Sequence, residues 1–140
     1  MLYSQNKMKL LDLVLKDVSV PFKKSCELTI TNCNGKEVVV NCEIPSTDEE
    51  KMTGLMFRDS LCDNCGMFYD YVDGGFWMKN VNFPIEMVFI NGDEIVDIQK
   101  ALPHDETSIK PSVESDGNLE VNEGFCESNN ISVGNKIYIS

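Results

Sequence analysis

The chain consists of short apolar segments that end at turn sequences. Asn34-Gly35 and Asn91-Gly92 supply residues that adopt the positive φ angles of tight hairpin turns. Short strands at this spacing are typical of an antiparallel β sandwich or barrel. The sequence therefore predicts a mainly β domain with strands at Glu27–Thr31, Lys36–Ile44, Met67–Tyr71, Phe76–Asn80, Ile85–Ile90, Glu94–Lys100, Leu119–Val121 and Lys136–Ile139.

One short helix is expected after the first hairpin. Thr47 and Glu50 form a capping-box pattern, in which the threonine hydroxyl accepts a first-turn amide and the glutamate carboxylate reaches back. This pattern predicts a helix from Asp48 to Met56.

An N-terminal arm, residues 1–25, precedes a single β-rich domain, residues 26–140. Met8, Leu11 and Leu15 have the spacing of one helix face, but apolar residues in this stretch also alternate as in a strand, so both structures stay open. We predict that the arm contacts protein partners, in a homo-oligomer or a multi-protein assembly.

Charge and hydropathy exclude several classes of partner. The 140 residues contain 12 Lys+Arg against 23 Asp+Glu, a net charge of −11. An acidic protein lacks the cations that neutralise phosphates, so we expect no nucleic-acid partner. No segment approaches the roughly 18 apolar residues that span a bilayer, and the first residues do not form a signal peptide. We therefore expect no membrane partner and a protein that is cytoplasmic or assembled into a particle.

Several ordered blocks of residues resemble a known family. They are Thr47–Arg58, Gly66–Phe68, Phe76–Asn80, Pro84–Glu86 and Phe89-Ile90, with weaker agreement at Leu119-Glu120, Gly124-Phe125 and Ile131–Asn135. Over residues 26–140 the chain resembles the uncharacterised family called domain of unknown function 192. The resemblance implies a mostly β, sandwich-like fold with a short helix after the first hairpin, and it implies no activity.

The chain departs from that family's pattern in two places. Glu86 stands where the family has an aspartate, and Leu61–Cys65 replaces a stretch that is usually acidic and free of cysteine. Family members often follow a secretory signal, and we expect none in this chain.

Polar residues within apolar strands suggest a ligand pocket. Arg58, Trp77, Lys79, Asn80 and Glu86 are the candidate ligand-binding residues. Glu86 shares a strand face with apolar side chains and needs a partner, because an unpaired buried charge is costly. The group either binds an anionic or polar ligand or forms a structural ion pair.

The sharpest local motif is Cys62-x-x-Cys65. Two thiolates at this spacing can bind one zinc ion, but a structural site needs two further ligands, and no other cysteine lies at a recognised distance. The alternatives are a redox pair and plain thiols in a reducing cytosol. His104, the single histidine, is expected on a solvated loop.

Taken together, these patterns favour a non-enzymatic structural or interaction module, such as a subunit of a virion, with no catalytic residues. One alternative is a small-ligand-binding protein or enzyme that uses the pocket around Arg58, Lys79, Asn80 and Glu86. A second is a module stabilised by zinc at Cys62 and Cys65.

Overall fold

Seven strands form a closed barrel in the described residues of the computed structural model, which are Met1, 20–71 and 74–139. The strands are β1 (Ser25–Thr31), β2 (Glu37–Glu43), β3 (Cys65–Tyr69), β4 (Ile85–Asn91), β5 (Glu94–Ala101), β6 (Gly117–Asn122) and β7 (Lys136–Ile139). Around the barrel they run β1-β2-β3-β6-β4-β5-β7, and β7 pairs with β1. All neighbours are antiparallel except β2 and β3. The predicted mainly β fold is confirmed.

The two predicted hairpins are present in the expected register. β1 and β2 pair with Ile30 opposite Val38, and Gly35 in their turn has φ 73°. β4 and β5 meet at Asn91, and Gly92 has φ 63°. Both turns use glycine where the backbone must be left-handed.

Two short helices accompany the barrel in the described part of the chain, α1 (Asp48–Thr53) and α2 (Phe125–Ser128). The Thr47 hydroxyl accepts the Glu50 amide at 3.0 Å, as the capping pattern predicts. The helix ends at Thr53, earlier than expected, because Gly54 leaves the helical region at φ 46° and ψ −122°, although its amide still bonds to the Glu50 carbonyl. Neither helix has the length or apolar character needed to span a bilayer.

Apolar residues form two cores, one on each face of the β3-β6-β4 wall. The inner core fills the barrel with side chains such as Leu28, Ile30 and Leu119. The outer core lies on the opposite face and combines strand residues with α1 and residues 76–81. β6 is therefore buried on both faces.

The strand predicted at Phe76–Asn80 is wrong. Phe76 makes one isolated bridge with Ile109, the Met78 amide bonds to the Asp105 carbonyl at 2.8 Å, and Asn80 turns to φ 60°. This segment bonds to separate carbonyls of the polar loop after β5, and that loop has no continuous strand edge with which it could pair. Residues 76–81 thus form an irregular cover over the outer core.

Most of the predicted arm, residues 2–19, lies outside the described residues, and its partner contacts stay a prediction. Residues 20–25 are described. Among them, the Phe22 amide donates to the Glu43 carboxylate at 2.8 Å, which joins this segment to the end of β2.

Candidate functional site

A fully buried carboxylate lies at the centre of the outer core. Glu120 on β6 is 0% exposed, and its cross-strand neighbours are Met67 on β3 and Met87 on β4, which are also 0% exposed. Burial among apolar groups raises the pKa of Glu120, against the opposing effects of a nearby ammonium group and the Asn118 amide. A carboxylate in such a place needs a cation or several donors to remain charged.

That cation is the amino terminus of the chain. The Met1 amine donates to Oε2 of Glu120 at 3.3 Å and to Oε1 at 3.4 Å, and Met1 itself is fully buried. Burial lowers the pKa of this amine, while the charge and hydrogen bonds of Glu120 oppose the shift. The two groups form a buried ion pair that bridges the first residue and β6.

The main chain of Met1 fits closely between α1 and the segment that covers the outer core. The Trp77 amide donates to the Met1 carbonyl at 3.4 Å. A Cβ atom built on Gly54 would lie 2.7 Å from both the nitrogen and the Cα of Met1. It would also lie 2.5 Å from the hydroxyl of Tyr69, which itself donates to the Lys51 carbonyl at 3.4 Å. The absence of a side chain at Gly54 therefore leaves room for the main chain of Met1.

Asn118 adds a second polar group beside the carboxylate. It is 0% exposed, and its Nδ2 donates to Oε2 of Glu120 at 3.5 Å. Its Oδ1 has no hydrogen-bond partner among the described residues. Gly54, Tyr69, Trp77, Asn118 and Glu120 together are called the Glu120 pocket below. Because the Glu120 carboxylate and the Asn118 Oδ1 are acceptors within apolar walls, the pocket is suited to a compact cation with N–H donors.

Arg58, predicted as a ligand-binding residue, pairs with Glu43. Its Nη1 and Nη2 lie 2.6 and 2.9 Å from the two Glu43 oxygens, and its guanidinium stacks 5.2 Å from the centre of the Phe22 ring. Burial tends to raise the pKa of Glu43, but the hydrogen bonds from Arg58 and Phe22 and the Arg58 charge together hold that pKa below its ordinary value. This bidentate pair joins the end of β2 to the segment that follows α1, and Phe22 contacts both of its members.

Three other predicted residues lie within residues 76–81, the segment that covers the outer core. Trp77 borders the Glu120 pocket through its backbone amide. The Lys79 ammonium lies 5.1 Å from the Trp77 ring centre and 3.7 Å from a carboxylate oxygen of Glu106. The backbone carbonyl of Asn80 accepts the Phe57 amide at 2.9 Å. The side-chain Nδ2 of Asn80 is buried without a hydrogen-bond partner in the described part of the chain. Trp77 is thus the predicted residue that borders this pocket.

Glu86 lies on the opposite face of the sheet from the pocket. Its two oxygens accept the amides of Gly124 at 2.9 Å and Cys126 at 3.0 Å, and it is 4% exposed. The carboxylate therefore holds the turn that begins α2. Its contacts are to these backbone amides, in place of the Arg58 or Lys79 partners that the sequence suggested.

Cys62 and Cys65 form a disulfide, with Cα atoms 5.1 Å apart. The pair is oxidised in this structure, and the alternatives of reduced thiols and of zinc ligands at these positions stay predictions. Burial raises the pKa of the free thiols of Cys42 and Cys126, so both stay protonated. No group of three or more His, Cys, Asp or Glu side chains among the described residues is placed to hold a metal ion.

Sequence reasoning used Glu120 only as part of a family pattern and missed its place in a site. The signal was present in the sequence: Asn118 and Glu120 are spaced by two on a strand whose intervening and following residues, Leu119 and Val121, are apolar. The missing information was that β6 lies between two strands and is covered on both faces.

Comparisons with known proteins place the chain among proteins of this fold. Residues 29–139 match the family DUF192, described as Uncharacterized ACR. A solved protein of unknown function from Novosphingobium aromaticivorans is 31% identical, over 81% of this chain and 84% of that one, with a TM-score of 0.74. A candidate transcription regulator from Sinorhizobium meliloti is 25% identical, over 86% and 96% of the two chains, with a TM-score of 0.78. No curated protein matches the chain.

Proposed function

The chain belongs to the DUF192 family, and we propose that it is a non-enzymatic binding module whose Glu120 pocket holds a primary ammonium group. The observation that carries this proposal is the ion pair between Glu120 and the Met1 amine, with both partners fully buried.

The burial of Glu120 supports a cationic ligand. Removing a carboxylate from water costs several kcal/mol unless a partner of opposite charge replaces the lost hydration. In the described part of the chain no lysine or arginine side chain forms an ion pair with Glu120. The Met1 amine supplies a balancing charge in this structure, and the net charge of −11 favours cationic ligands further.

The chemistry of the pocket walls supports binding over catalysis. Burial, with a further contribution from Glu120, raises the pKa of Tyr69 well above its ordinary value, so its phenol stays protonated and is no general base. The other walls are an amide, a glycine and apolar side chains. Such a set can orient and desolvate an ammonium group.

The single tryptophan of the chain gives a direct binding assay, since Trp77 lies at the pocket. We would add Gly-Ser ahead of Met1 in the full chain, because the buried amine leaves no room for further residues and Met1 must then vacate the pocket. Titration with 3-(methylthio)propylamine should produce a saturable change in Trp77 fluorescence. In the extended chain, Glu120→Gln should abolish this change, and Glu123→Gln, an exposed carboxylate nearby, should preserve it.

The parent chain provides a second measurement that does not depend on the extended chain folding. Its Met1 competes for the pocket, so the same titration should saturate at a higher amine concentration. No saturable response in either chain, or an equal response in the Glu120→Gln variant, would overturn the proposal.

A further inference from the structure

The geometry points to a specific ligand class for the Glu120 pocket: the free N-terminal residue of a peptide, with methionine preferred. This inference rests on the proposed function, since it names what carries the ammonium group. The inference follows from three contacts of Met1, and a simple amine could make only some of them.

The first contact recognises the carbonyl that follows the amine. The Trp77 amide donates to the Met1 carbonyl, while the amides on either side of it, Phe76 and Met78, bond at 2.8 Å to the carbonyls of Ile109 and Asp105. These neighbouring bonds fix the backbone on both sides of the Trp77 donor. The pocket thus presents a carboxylate for the ammonium and a preorganised N–H for the peptide carbonyl.

The second contact excludes any residue ahead of the amine. The Met1 nitrogen is fully buried against Glu120, and the Gly54 backbone approaches it so closely that a Cβ atom at position 54 would lie 2.7 Å away. An acyl group or a preceding residue on that nitrogen would remove the positive charge and add atoms where the wall is tight. The pocket therefore selects a free amino terminus.

The third contact selects the side chain. Met1 belongs to the outer core, which contains five further buried methionines: Met52, Met56, Met67, Met78 and Met87. Thioether side chains are unbranched and polarisable, so such a cluster adapts to another flexible apolar side chain. A methionyl side chain fills this space in the structure, and a glycyl residue would leave it empty.

The chain's own Met1 is the occupant in this structure, so a peptide supplied in trans competes with it. The Glu120 pocket would then bind protein partners that present a free N-terminal methionine, including a second copy of the same chain. Binding in trans then requires Met1 of the host chain to leave.

Isothermal titration of the extended full-length chain separates these contacts with four small probes. L-Methioninamide carries the ammonium, carbonyl and side chain; 3-(methylthio)propylamine lacks the carbonyl; glycinamide lacks the side chain; and N-acetyl-L-methioninamide lacks the ammonium. We expect methioninamide to bind about tenfold or more tightly than propylamine or glycinamide, and the acetylated probe not to bind.

Each outcome bears on one of the two proposals. Equal affinity for methioninamide and the propylamine would overturn peptide recognition and leave the ammonium site standing. Binding of the acetylated probe would overturn both proposals, as would failure of all four probes to bind. Competition in the parent chain, read from Trp77 fluorescence, must give the same order of affinity, and a different order would overturn the inference.

Discussion

The α-amine of Met1 lies 3.3 Å from Oε2 of Glu120, and both groups are fully buried. For a buried ion pair, removing one partner and removing both partners have different effects on the free energy of unfolding. Each charge was removed from water, so deleting one partner leaves the other uncompensated, whereas removing both is far less costly.

Glu120→Gln should therefore destabilise the parent chain by roughly 3–5 kcal/mol, because the Met1 ammonium loses its counter-charge. Urea denaturation measures this free energy of unfolding. Glu123→Gln, at an exposed position in the same region, should change it by less than about 0.5 kcal/mol. In the chain extended ahead of Met1, the cost of Glu120→Gln should shrink or reverse sign, and an unchanged cost there would show that the amine is not the partner.

Gly54→Ala should cost more than the positive φ of this glycine alone explains. Gly54 and Gly35 both have positive φ, but a Cβ atom on Gly54 meets Met1 and Tyr69, and one on Gly35 meets nothing within 4 Å. Gly35→Ala should cost about 1 kcal/mol for its backbone conformation. Gly54→Ala should exceed that by a further 1–3 kcal/mol or so, from overpacking. Equal losses in thermal or urea denaturation would argue against the close fit of Met1.

Glu86→Gln tests whether this carboxylate has a structural role. The Gln side chain keeps one acceptor oxygen for the two amides of Gly124 and Cys126, so we expect a loss of about 1–3 kcal/mol in unfolding free energy. Glu127→Gln, an exposed neighbour in α2, is the matched control and should be neutral. Amine binding, reported by Trp77 fluorescence, should be unchanged in Glu86→Gln. If this variant folds but no longer binds the amine, Glu86 is a ligand-binding residue after all.

The Arg58–Glu43 pair should make stability depend on acid pH. The pKa of Glu43 is held below its ordinary value of 4.5, so its ionised form stabilises the fold above that pH, and the contribution is lost as pH falls through the lower, folded-state pKa. The difference in unfolding free energy between the parent and Glu43→Gln should be about 1–3 kcal/mol near neutrality. It should shrink between roughly pH 5 and pH 3. A difference that is constant across this range would contradict the pairing.

Local sequence signals predicted much of the barrel because hairpins and caps are specified by neighbouring residues. The turns at Gly35 and Gly92 set the registers of two hairpins, and Thr47 fixed the start of α1. The segment Phe76–Asn80 has the alternation of a strand but no strand edge to pair with. Its structure depends on carbonyls of the loop after β5, which alternation in the sequence cannot reveal.

The site was less predictable because it depends on contacts between distant parts of the chain. Glu120 and Met1 are separated by 119 residues, and no pattern in sequence pairs an amino terminus with a carboxylate on the sixth strand. The sequence predicts Arg58 and Glu86 as ligand residues from their charge in apolar surroundings, yet each has a structural partner. It also predicts Trp77, which contributes through its backbone amide, and the type of side chain does not indicate that contact.

The most direct measurement of the central claim is the reactivity of the Met1 α-amine. An amine-specific acylating reagent, followed by peptide mass spectrometry, compares Met1 in the native chain with Met1 in urea and with the exposed Lys110 as an internal standard. Slow labelling would report a Met1 amine that is enclosed in the outer core and held as an ammonium against Glu120. We expect native labelling at Met1 to be at least about tenfold slower than in urea, and faster in Glu120→Gln. Labelling of native Met1 at the unfolded rate, with no effect of Glu120→Gln, would contradict the ammonium pocket.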